Sequence, residues 1–387
     1  MSFEFLTVTR ILFGPKTVAV AAETVESLGR RPFLVTGGTA DRYRPLLDAL
    51  LGRGLECGHG VVTDEPTITL VQSLVEEVRA LQCDVVVGLG GGSVLDTAKA
   101  LAGLAPNPGA VLDYLEVIGR AQPLRQPSLP CVAIPTTSGT GAEVTKNAVL
   151  GSAEHQVKVS LRSPFLLPRV AIVDPELTLT QPPSVTARSG LDALTQVIEP
   201  FLSSRRNPLV DGLCREGIAR GGDALPAAFR DGSDARARED MCLVSLIGGL
   251  ALTNAGLGAV HGFAGPLGGM TGAPHGAICA CLLAPVLRAN VQALERRGDP
   301  DGLLGRFDEV GALLNADPKA GRREAVEWLE RCRRLLEIPS LFELGLDPER
   351  LPEAVEKAQR ASSMKGNPVR LEAEELRQIL IQAMGGD

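Results

Sequence analysis

The sequence predicts an α/β domain with a parallel sheet, followed by a domain made only of helices. In the first half, short apolar runs alternate with longer segments in which apolar residues recur every three to four positions. Nearly continuous apolar runs are typical of parallel strands covered on both faces, and their alternation with helices favours a doubly wound sheet. After Asp174-Pro175, strand signals become rare and long helical patterns follow. We therefore place the boundary in the stretch LTLTQPPS, which gives domains of residues 1–180 and 181–387.

Each predicted element rests on its local pattern. The strands are short and rich in β-branched residues, and they cover 32–36, 84–89, 131–135 and 170–173. Segment 67–81 has helical spacing and predicts a helix between the first two of these strands. In the second half, the same spacing predicts helices over 185–203, 241–255, 275–294 and 323–336.

The composition excludes several classes of function. A net charge of −7 repels phosphates, and ten Phe, two Tyr and one Trp offer few rings for base stacking, so no nucleic acid partner is expected. No apolar run reaches the length of a membrane span, and the N-terminus lacks the features of a signal peptide. We therefore expect a cytoplasmic protein with no membrane partner. The eight Cys show no Cys-x-x-Cys spacing, which indicates reduced, mostly buried thiols.

A glycine-rich turn follows the predicted strand at 84–89. The segment DVVVGLGGGSVLD reads as a strand, a glycine turn and the start of a helix. Glycines let a backbone approach a phosphate closely, and the helix N-terminus attracts the same anion. The spacing of Ser93 and Asp96 predicts a capping pair at this helix start. A tight turn without a ligand fits the same residues.

A hydroxyl-rich loop follows the predicted strand at 131–135. It reads PTTSGTGAEVT, and the carboxyl ends of parallel strands are where doubly wound sheets bind ligands. We expect this loop and the glycine turn to converge on one crevice. The alternative is a Ser/Thr-rich turn that satisfies its own backbone.

Two of the four His lie in an unusual setting. His261 and His275 are each followed by Gly and each borders an apolar helix, whereas His59 and His155 are interpreted as surface residues. Asp192 lies in a similarly apolar helix, where a carboxylate needs a partner. Two His and one Asp from separate helices could form an open metal site. A hydrogen-bonded core Asp with two helix-capping His fits equally well.

Four motifs in order then carry a specific resemblance: GGGSVLDTAKA, PTTSGTGAEVT, LDALTQVIEPFLS and HGFAGPLGGMTGAPHG. Together they resemble the iron-containing (group III) alcohol dehydrogenases, a family that includes lactaldehyde reductase and 1,3-propanediol dehydrogenase. The likeness runs from Thr9 to Pro368. It implies the fold of the dehydroquinate synthase-like superfamily, with a dinucleotide-binding α/β domain and a helical metal- and substrate-binding domain in a homodimer or larger homo-oligomer.

The resemblance implies NAD or NADP as cofactor. It assigns cofactor contacts to small or polar residues of the loops and to one lysine: Gly91, Gly92, Ser93, Asp96, Thr136, Thr137, Thr140 and Lys158. Gly37 stands where NAD-preferring relatives often have an Asp that repels a 2′-phosphate. That departure predicts tolerance of NADPH.

The resemblance also implies a divalent metal, with Fe²⁺ as the first expectation and Zn²⁺ or Mn²⁺ as alternatives. Asp192, His261 and His275 match three of the family's four metal ligands, and Gln196 stands where the family has a His. A Gln oxygen binds iron or zinc more weakly than imidazole does, so a weaker site is expected. Gly265 stands where the family commonly has another His near the substrate.

The implied activity is NAD(P)-dependent alcohol dehydrogenation or aldehyde reduction of a small molecule, with the metal as Lewis acid. One alternative is a maleylacetate reductase-like enzyme, although the loop of those enzymes usually reads more like TYAGSE. The other is a metal-deficient, non-catalytic nucleotide-binding relative, which the Gln196 and Gly265 changes would favour. Cofactor reduction with short alcohols separates these readings.

Overall fold

The computed structural model describes residues 2–152, 154–155 and 157–385. They form two compact units, and each is described by itself. Leu6–Thr137 and Gly141–Thr178 form the α/β unit. The helical unit takes in residues 2–5, Ser138–Thr140 and the described residues from Leu179 onward. The predicted class, an α/β domain followed by a helical one, is confirmed.

The α/β unit contains eight strands in its described residues. They are β1 (Arg10–Phe13), β2 (Pro32–Thr36), β3 (Gly58–Val61), β4 (Val85–Gly90), β5 (Cys131–Pro135), β6 (Asn147–Ser152), β7 (Val157–Arg162) and β8 (Val170–Val173). Six of these described strands form a parallel sheet in the order β1-β8-β5-β4-β2-β3. The antiparallel pair β6–β7 was not predicted, nor were β1 and β3. His59, interpreted as a surface residue, is half-buried on β3, with Nε2 2.8 Å from Thr36 Oγ1.

Helices connect these strands. They are α1 (Ala21–Glu26), α2 (Ala40–Gly52), α3 (Ile68–Ala80), α4 (Gly92–Leu104) and the single turn α5 (Val111–Tyr114). Thr67 caps α3 by accepting a hydrogen bond from Leu70 N, where the helical spacing placed its start. Strands β2, β4 and β5 are fully buried, which explains their unbroken apolar character.

Close packing of α4 on β4 depends on glycine. A Cβ on Gly88 would lie 2.8 Å from Ala98 Cβ, and one on Gly90 would lie 2.5 Å from Val94 Cγ2. Both glycines therefore serve the fold, because a side chain at either position would push the helix off the strand. This packing fixes the direction in which the start of α4 points.

The helical unit contains α6 (Pro183–Leu202), α7 (Pro208–Arg230), α8 (Ala235–Ala255), α9 (Ala259–Thr271), α10 (His275–Arg297), α11 (Leu303–Asn315), α12 (Arg322–Leu335), α13 (Leu351–Arg360) and α14 (Ala373–Ala383). Helices α6, α7 and α8 pack against one another, and α10 packs on α6. The four predicted helices correspond to α6, the second half of α8, α10 and α12. Residue Asn207 caps α7 with its side chain, a start signal that the sequence prediction missed.

Helix α10 is long and apolar enough to cross a membrane if length and composition alone are considered, but 83% of its most apolar stretch is buried inside the protein. Its apolar residues pack against α6, α9, α12 and α14. Such burial is what the core helix of a globular unit requires.

Candidate functional site

In the α/β unit, three polar or glycine-rich loops lie at neighbouring strand ends. In the sheet, Thr36 of β2 pairs with Leu89 of β4, which in turn pairs with Ile134 of β5. The loops that leave these strands therefore begin side by side at the carboxyl edge. The chain continues outward from β2 to β3 on one side and from β4 to β5 on the other. This is the topological switch point at which doubly wound sheets bind ligands.

The glycine turn and the hydroxyl loop meet as expected. Thr136 N donates to Gly90 O at 2.9 Å, and a Cβ on Gly91 would lie 3.4 Å from Thr137 Oγ1. That distance is an ordinary van der Waals contact, and Gly91 has extended backbone with φ −76° and ψ −175°. Unlike Gly90, Gly91 is therefore not demanded by the fold. Its lack of a side chain keeps the start of α4 open to a ligand.

The start of α4 is free of the predicted capping pair. No side chain of the described residues caps this helix at Gly91, and Gly92 and Ser93 form its first turn. Asp96 instead forms an ion pair with Lys99 at 2.9 Å and accepts from Val149 N at 3.0 Å. The capping prediction was wrong because these partners in α4 and β6 engage both carboxylate oxygens. The N–H groups of the first turn remain available for an anion.

The remaining predicted cofactor residues are Lys158, in the α/β unit, and Thr140, in the helical unit. Lys158 on β7 pairs with Glu65 at 2.6 Å, so its cofactor contact needs that pair to open and stays a prediction. Thr140 is exposed and belongs to the helical unit. Its neighbour Gly139 is anchored there, because Gly139 N donates to Ser245 Oγ of α8 at 2.8 Å.

In the helical unit, three helices bring Asp192, His261 and His275 together. Asp192 lies in the middle of α6, His261 in the first turn of α9, and His275 at the first position of α10. Gly276 allows the close approach of α10 to α6, since a Cβ there would lie 2.5 Å from Arg188 O. The two rings lie with centroids 5.3 Å apart and planes tilted by 51°.

Asp192 presents one unpaired oxygen to both rings. Its Oδ1 lies 3.5 Å from His261 Nε2 and 3.9 Å from His275 Nε2, and it has no hydrogen-bond partner among the described residues. Asp192 is 2% exposed. An unpaired carboxylate oxygen at such depth is costly unless a cation or a donor reaches it.

Cys279 is the member of this cluster that sequence reasoning missed. Its Sγ lies 3.6 Å from His275 Nε2 and 3.9 Å from His261 Nε2. One ligand atom from each of Asp192, His261, His275 and Cys279 lies within 4.8 Å of the others. The available signal was the spacing of four between His275 and Cys279, which puts both on one face of α10.

Gln196 lies beside the cluster, one turn after Asp192 on α6. Its Nε2 donates to Asp192 Oδ2 at 2.8 Å and to Gly139 O at 3.2 Å. Its Oε1 is buried and has no hydrogen-bond partner in the described part of the chain. The amide thus holds Asp192 in place, and its predicted role as a ligand stays a prediction.

Glu199 is a second residue that sequence reasoning missed. Its Oε2 lies 2.7 Å from His261 Nδ1, and its Oε1 accepts from Val260 N at 2.7 Å. A carboxylate accepts hydrogen bonds, so Nδ1 keeps its proton and Nε2 is the nitrogen directed at the cluster. The signal was again periodic, because Asp192, Gln196 and Glu199 follow one another along one face of α6.

The cluster is electrostatically coupled. Burial alone would raise the pKa of Asp192, but the neighbouring His261 and His275 hold that pKa below its ordinary value. Burial alone would lower the pKa of His261, but Cys279, Asp192 and Glu199 raise it well above its ordinary value. Burial raises the pKa of the Cys279 thiol to about 12. The Asp192 carboxylate and the His261 imidazole therefore favour each other's charged forms.

Glu199→Gln is expected to weaken divalent metal binding about 10- to 100-fold, as loss of an orienting carboxylate typically does. The amide would present a donor to either Val260 N or His261 Nδ1, which disturbs the ring orientation. Competition with a chromogenic chelator measures the affinity, and Glu239→Gln on the exposed face of α8 is the control. An unchanged affinity in a folded variant would reduce Glu199 to a packing role.

The chain matches two family descriptions in succession. "Iron-containing alcohol dehydrogenase" matches residues 8–175, and "Fe-containing alcohol dehydrogenase family, C-terminal" matches residues 186–384. The chain is 33% identical to 1,3-propanediol dehydrogenase of Klebsiella pneumoniae over 392 residues, with 98% of each sequence covered. It is 34% identical to alcohol dehydrogenase 4 of Saccharomyces cerevisiae (strain YJM789) over 357 residues, covering 91% of this chain and 89% of the yeast protein. The crystal structure of sulfoacetaldehyde reductase from Bifidobacterium kashiwanohense in complex with NAD+ superposes with a TM-score of 0.87 at 29% identity, covering all of both chains.

Proposed function

The chain belongs to the iron-containing alcohol dehydrogenase family, and from this premise we propose the reaction and the residues that serve it. The enzyme interconverts small alcohols and the corresponding aldehydes with NAD or NADP, and it uses a divalent cation held by Asp192, His261 and His275. One observation carries the assignment of the metal: the buried Asp192 Oδ1 has no hydrogen-bond partner among the described residues and faces two imidazole nitrogens.

The donor set fits a first-row divalent cation. A carboxylate oxygen and two imidazole nitrogens are ligands that iron, zinc and manganese accept. Glu199 fixes the ring of His261 from behind, as second carboxylates commonly do for metal-binding His. The partly exposed His275 supplies the side from which substrate can enter.

The cofactor assignment rests on the carboxyl edge of the sheet. We assign the pyrophosphate to the open first turn of α4 at Gly91, Gly92 and Ser93, where N–H groups and the helix dipole attract an anion. Thr136 and Thr137 flank that turn. We assign the adenosine ribose to the loop after β2, where Gly37 lies.

The chemistry divides between bound groups and protein. A divalent cation supplies Lewis acidity and a nicotinamide supplies or accepts hydride. In alcohol oxidation, a bound nicotinamide would accept one hydride, and one proton would be released to solvent. The residues of this chain orient the metal ligands: Gln196 holds Asp192 in place, and Glu199 holds His261 in place.

Gly265 bears on substrate size. It lies one turn after His261 on the same face of α9, and a Cβ there would meet no atom of the described residues within 4 Å. The missing side chain leaves room beside His261, which we propose is used by the substrate. The clustering of Asp192, His261, His275 and Cys279 also weighs against a metal-deficient, non-catalytic relative.

The location, the assembly state and the partners of the enzyme are also proposed from its family. We propose a cytoplasmic homodimer or larger homo-oligomer that acts on small molecules, without nucleic acid or membrane partners. Size-exclusion chromatography with light scattering measures the assembly state directly.

A panel of short alcohols and aldehydes, assayed with each of NAD(H) and NADP(H), tests the proposed function. Metal content is measured on the same sample. We expect at least one substrate to support cofactor turnover in proportion to bound metal. Tight binding of NADH without turnover of any substrate in metal-loaded protein would favour the non-catalytic alternative.

Gly37→Asp is expected to weaken NADPH binding at least about tenfold relative to NADH, since a carboxylate repels the 2′-phosphate and accepts from the ribose hydroxyls. The position has room, because a Cβ on Gly37 would meet no described atom within 4 Å. Dissociation constants for both cofactors measure the effect, and Gly37→Ser is the neutral control. A wild-type preference for NADH above about a hundredfold would show that another group excludes the phosphate.

A further inference from the structure

We propose that Cys279 is a ligand of the divalent cation, so that one thiolate, two imidazoles and one carboxylate hold the metal in this chain. The proposal rests on the proposed function, because it concerns the same metal site. The sequence predicts a weak site with three strong ligands. The proposal instead gives a complete site in which sulfur is the fourth ligand.

The first support is geometric. Metal–ligand bonds of about 2.0 to 2.3 Å in a tetrahedral zinc site put neighbouring ligand atoms about 3.4 to 3.6 Å apart. In this structure Cys279 Sγ lies 3.6 Å from His275 Nε2 and 3.9 Å from His261 Nε2. Asp192 Oδ1 lies 3.5 Å and 3.9 Å from the same two nitrogens. Four of the six distances among these atoms thus lie within a few tenths of an ångström of the tetrahedral spacing, and all four atoms lie within 4.8 Å of one another.

The second support is independent of the cysteine. Asp192 is 2% exposed, and its Oδ1 faces the cluster without a hydrogen-bond partner among the described residues. A hydrogen-bonded core would leave no such atom, whereas a cation in the centre would satisfy it. The unpaired oxygen therefore marks the centre toward which Cys279 Sγ also points.

Gln196 supports the same set indirectly. Its Nε2 is engaged by Asp192 Oδ2 and Gly139 O, at 2.8 Å and 3.2 Å. This contact turns the other oxygen of Asp192 toward the imidazoles. Gln196 therefore acts as a positioning residue, and the Cys279 thiolate is the fourth ligand.

Sulfur changes which metal the site prefers. A thiolate is a soft ligand that favours zinc over manganese, in the same direction as the general order of divalent affinities. On binding, the Cys279 thiol loses its proton to solvent while the sulfur–metal bond forms, so no oxidant or reductant is needed. We expect zinc to displace manganese and iron from this chain.

X-ray absorption at the zinc edge of wild-type, zinc-loaded protein tests the proposal without a variant. We expect one sulfur neighbour at about 2.3 Å among nitrogen and oxygen neighbours. Cobalt(II) loading gives a second readout, because a thiolate adds a near-ultraviolet charge-transfer band. A bound metal with only nitrogen and oxygen neighbours would overturn the role of Cys279 and leave the proposed function intact. Wild-type protein that binds no divalent cation would overturn both.

Two matched variants locate the sulfur. Cys281 is two residues further along α10, buried, with Sγ donating to Pro339 O at 2.8 Å. Cys279→Ser should lose the sulfur neighbour and the charge-transfer band and weaken zinc binding about tenfold or more. Cys281→Ser should keep all three. A sulfur neighbour that persists in Cys279→Ser would overturn the assignment.

Discussion

Replacing His275 by alanine is expected to remove tightly bound divalent metal and to lower turnover by about a thousandfold or more. A Lewis-acid metal contributes several kcal/mol to such a reaction, and about 4 kcal/mol corresponds to that factor. The variant loses the imidazole of His275, which lies near both Asp192 Oδ1 and Cys279 Sγ. The His261 Nε2 atom is then the one imidazole nitrogen left beside these two atoms. The fold should survive, because the His275 side chain is 37% exposed at the start of α10.

Metal content by elemental analysis and the steady-state turnover number are measured on the same preparation. His155→Ala removes an exposed imidazole and serves as the control. Turnover that survives in metal-free His275→Ala protein would show that hydride transfer does not depend on this cluster.

The second large effect is expected from Gly91→Val, which should weaken cofactor binding by at least about a hundredfold while the protein stays folded. The backbone at Gly91 is extended and accepts any residue, and a Cβ would make only ordinary contacts with Thr137. The two Cγ atoms of valine would instead occupy the space in which a pyrophosphate approaches the first turn of α4.

Gly90→Ala is the informative contrast to Gly91→Val. At Gly90 a Cβ would lie 2.5 Å from Val94 Cγ2, so alanine should lower the melting temperature through strain between α4 and β4. Thermal unfolding and fluorescence titration with NADH separate the two cases. Normal cofactor affinity in folded Gly91→Val would make the glycine turn structural only.

The sequence was most informative where one pattern has one structural meaning. Continuous apolar runs located β2, β4, β5 and β8 within a residue, because a strand buried on both faces admits little else. The glycine and hydroxyl loops could be placed for the same reason, since the carboxyl ends of neighbouring parallel strands must share an edge. Long helical periodicity likewise located α6 and α10.

The remainder depended on contacts between residues far apart in the sequence. The capping pair of Ser93 and Asp96 failed because Lys99 and Val149 engage the carboxylate, and Val149 lies on a strand that was not predicted. Pairs such as β6 and β7 are half-buried and mixed in polarity, so their pattern is weak.

The cluster of Asp192, His261, His275 and Cys279 depends on such contacts as well. Asp192, His261 and His275 were identifiable because His is rare in this chain and a carboxylate is unusual in an apolar helix. Cys279 has neither mark, since buried cysteines are common in protein cores. Only the approach of α10 to α6 at Gly276 shows which face of α10 meets the cluster.

Removal and return of the metal test the central claim most directly. Protein stripped with a chelator is assayed for cofactor-linked alcohol oxidation, then titrated with zinc, iron(II) or manganese while bound metal is measured. We expect activity to vanish on stripping and to return in proportion to the cation bound, up to one ion per chain. Full activity in metal-free protein, unchanged by any added cation, would contradict the account, and hydride transfer would then have to rely on side-chain donors alone.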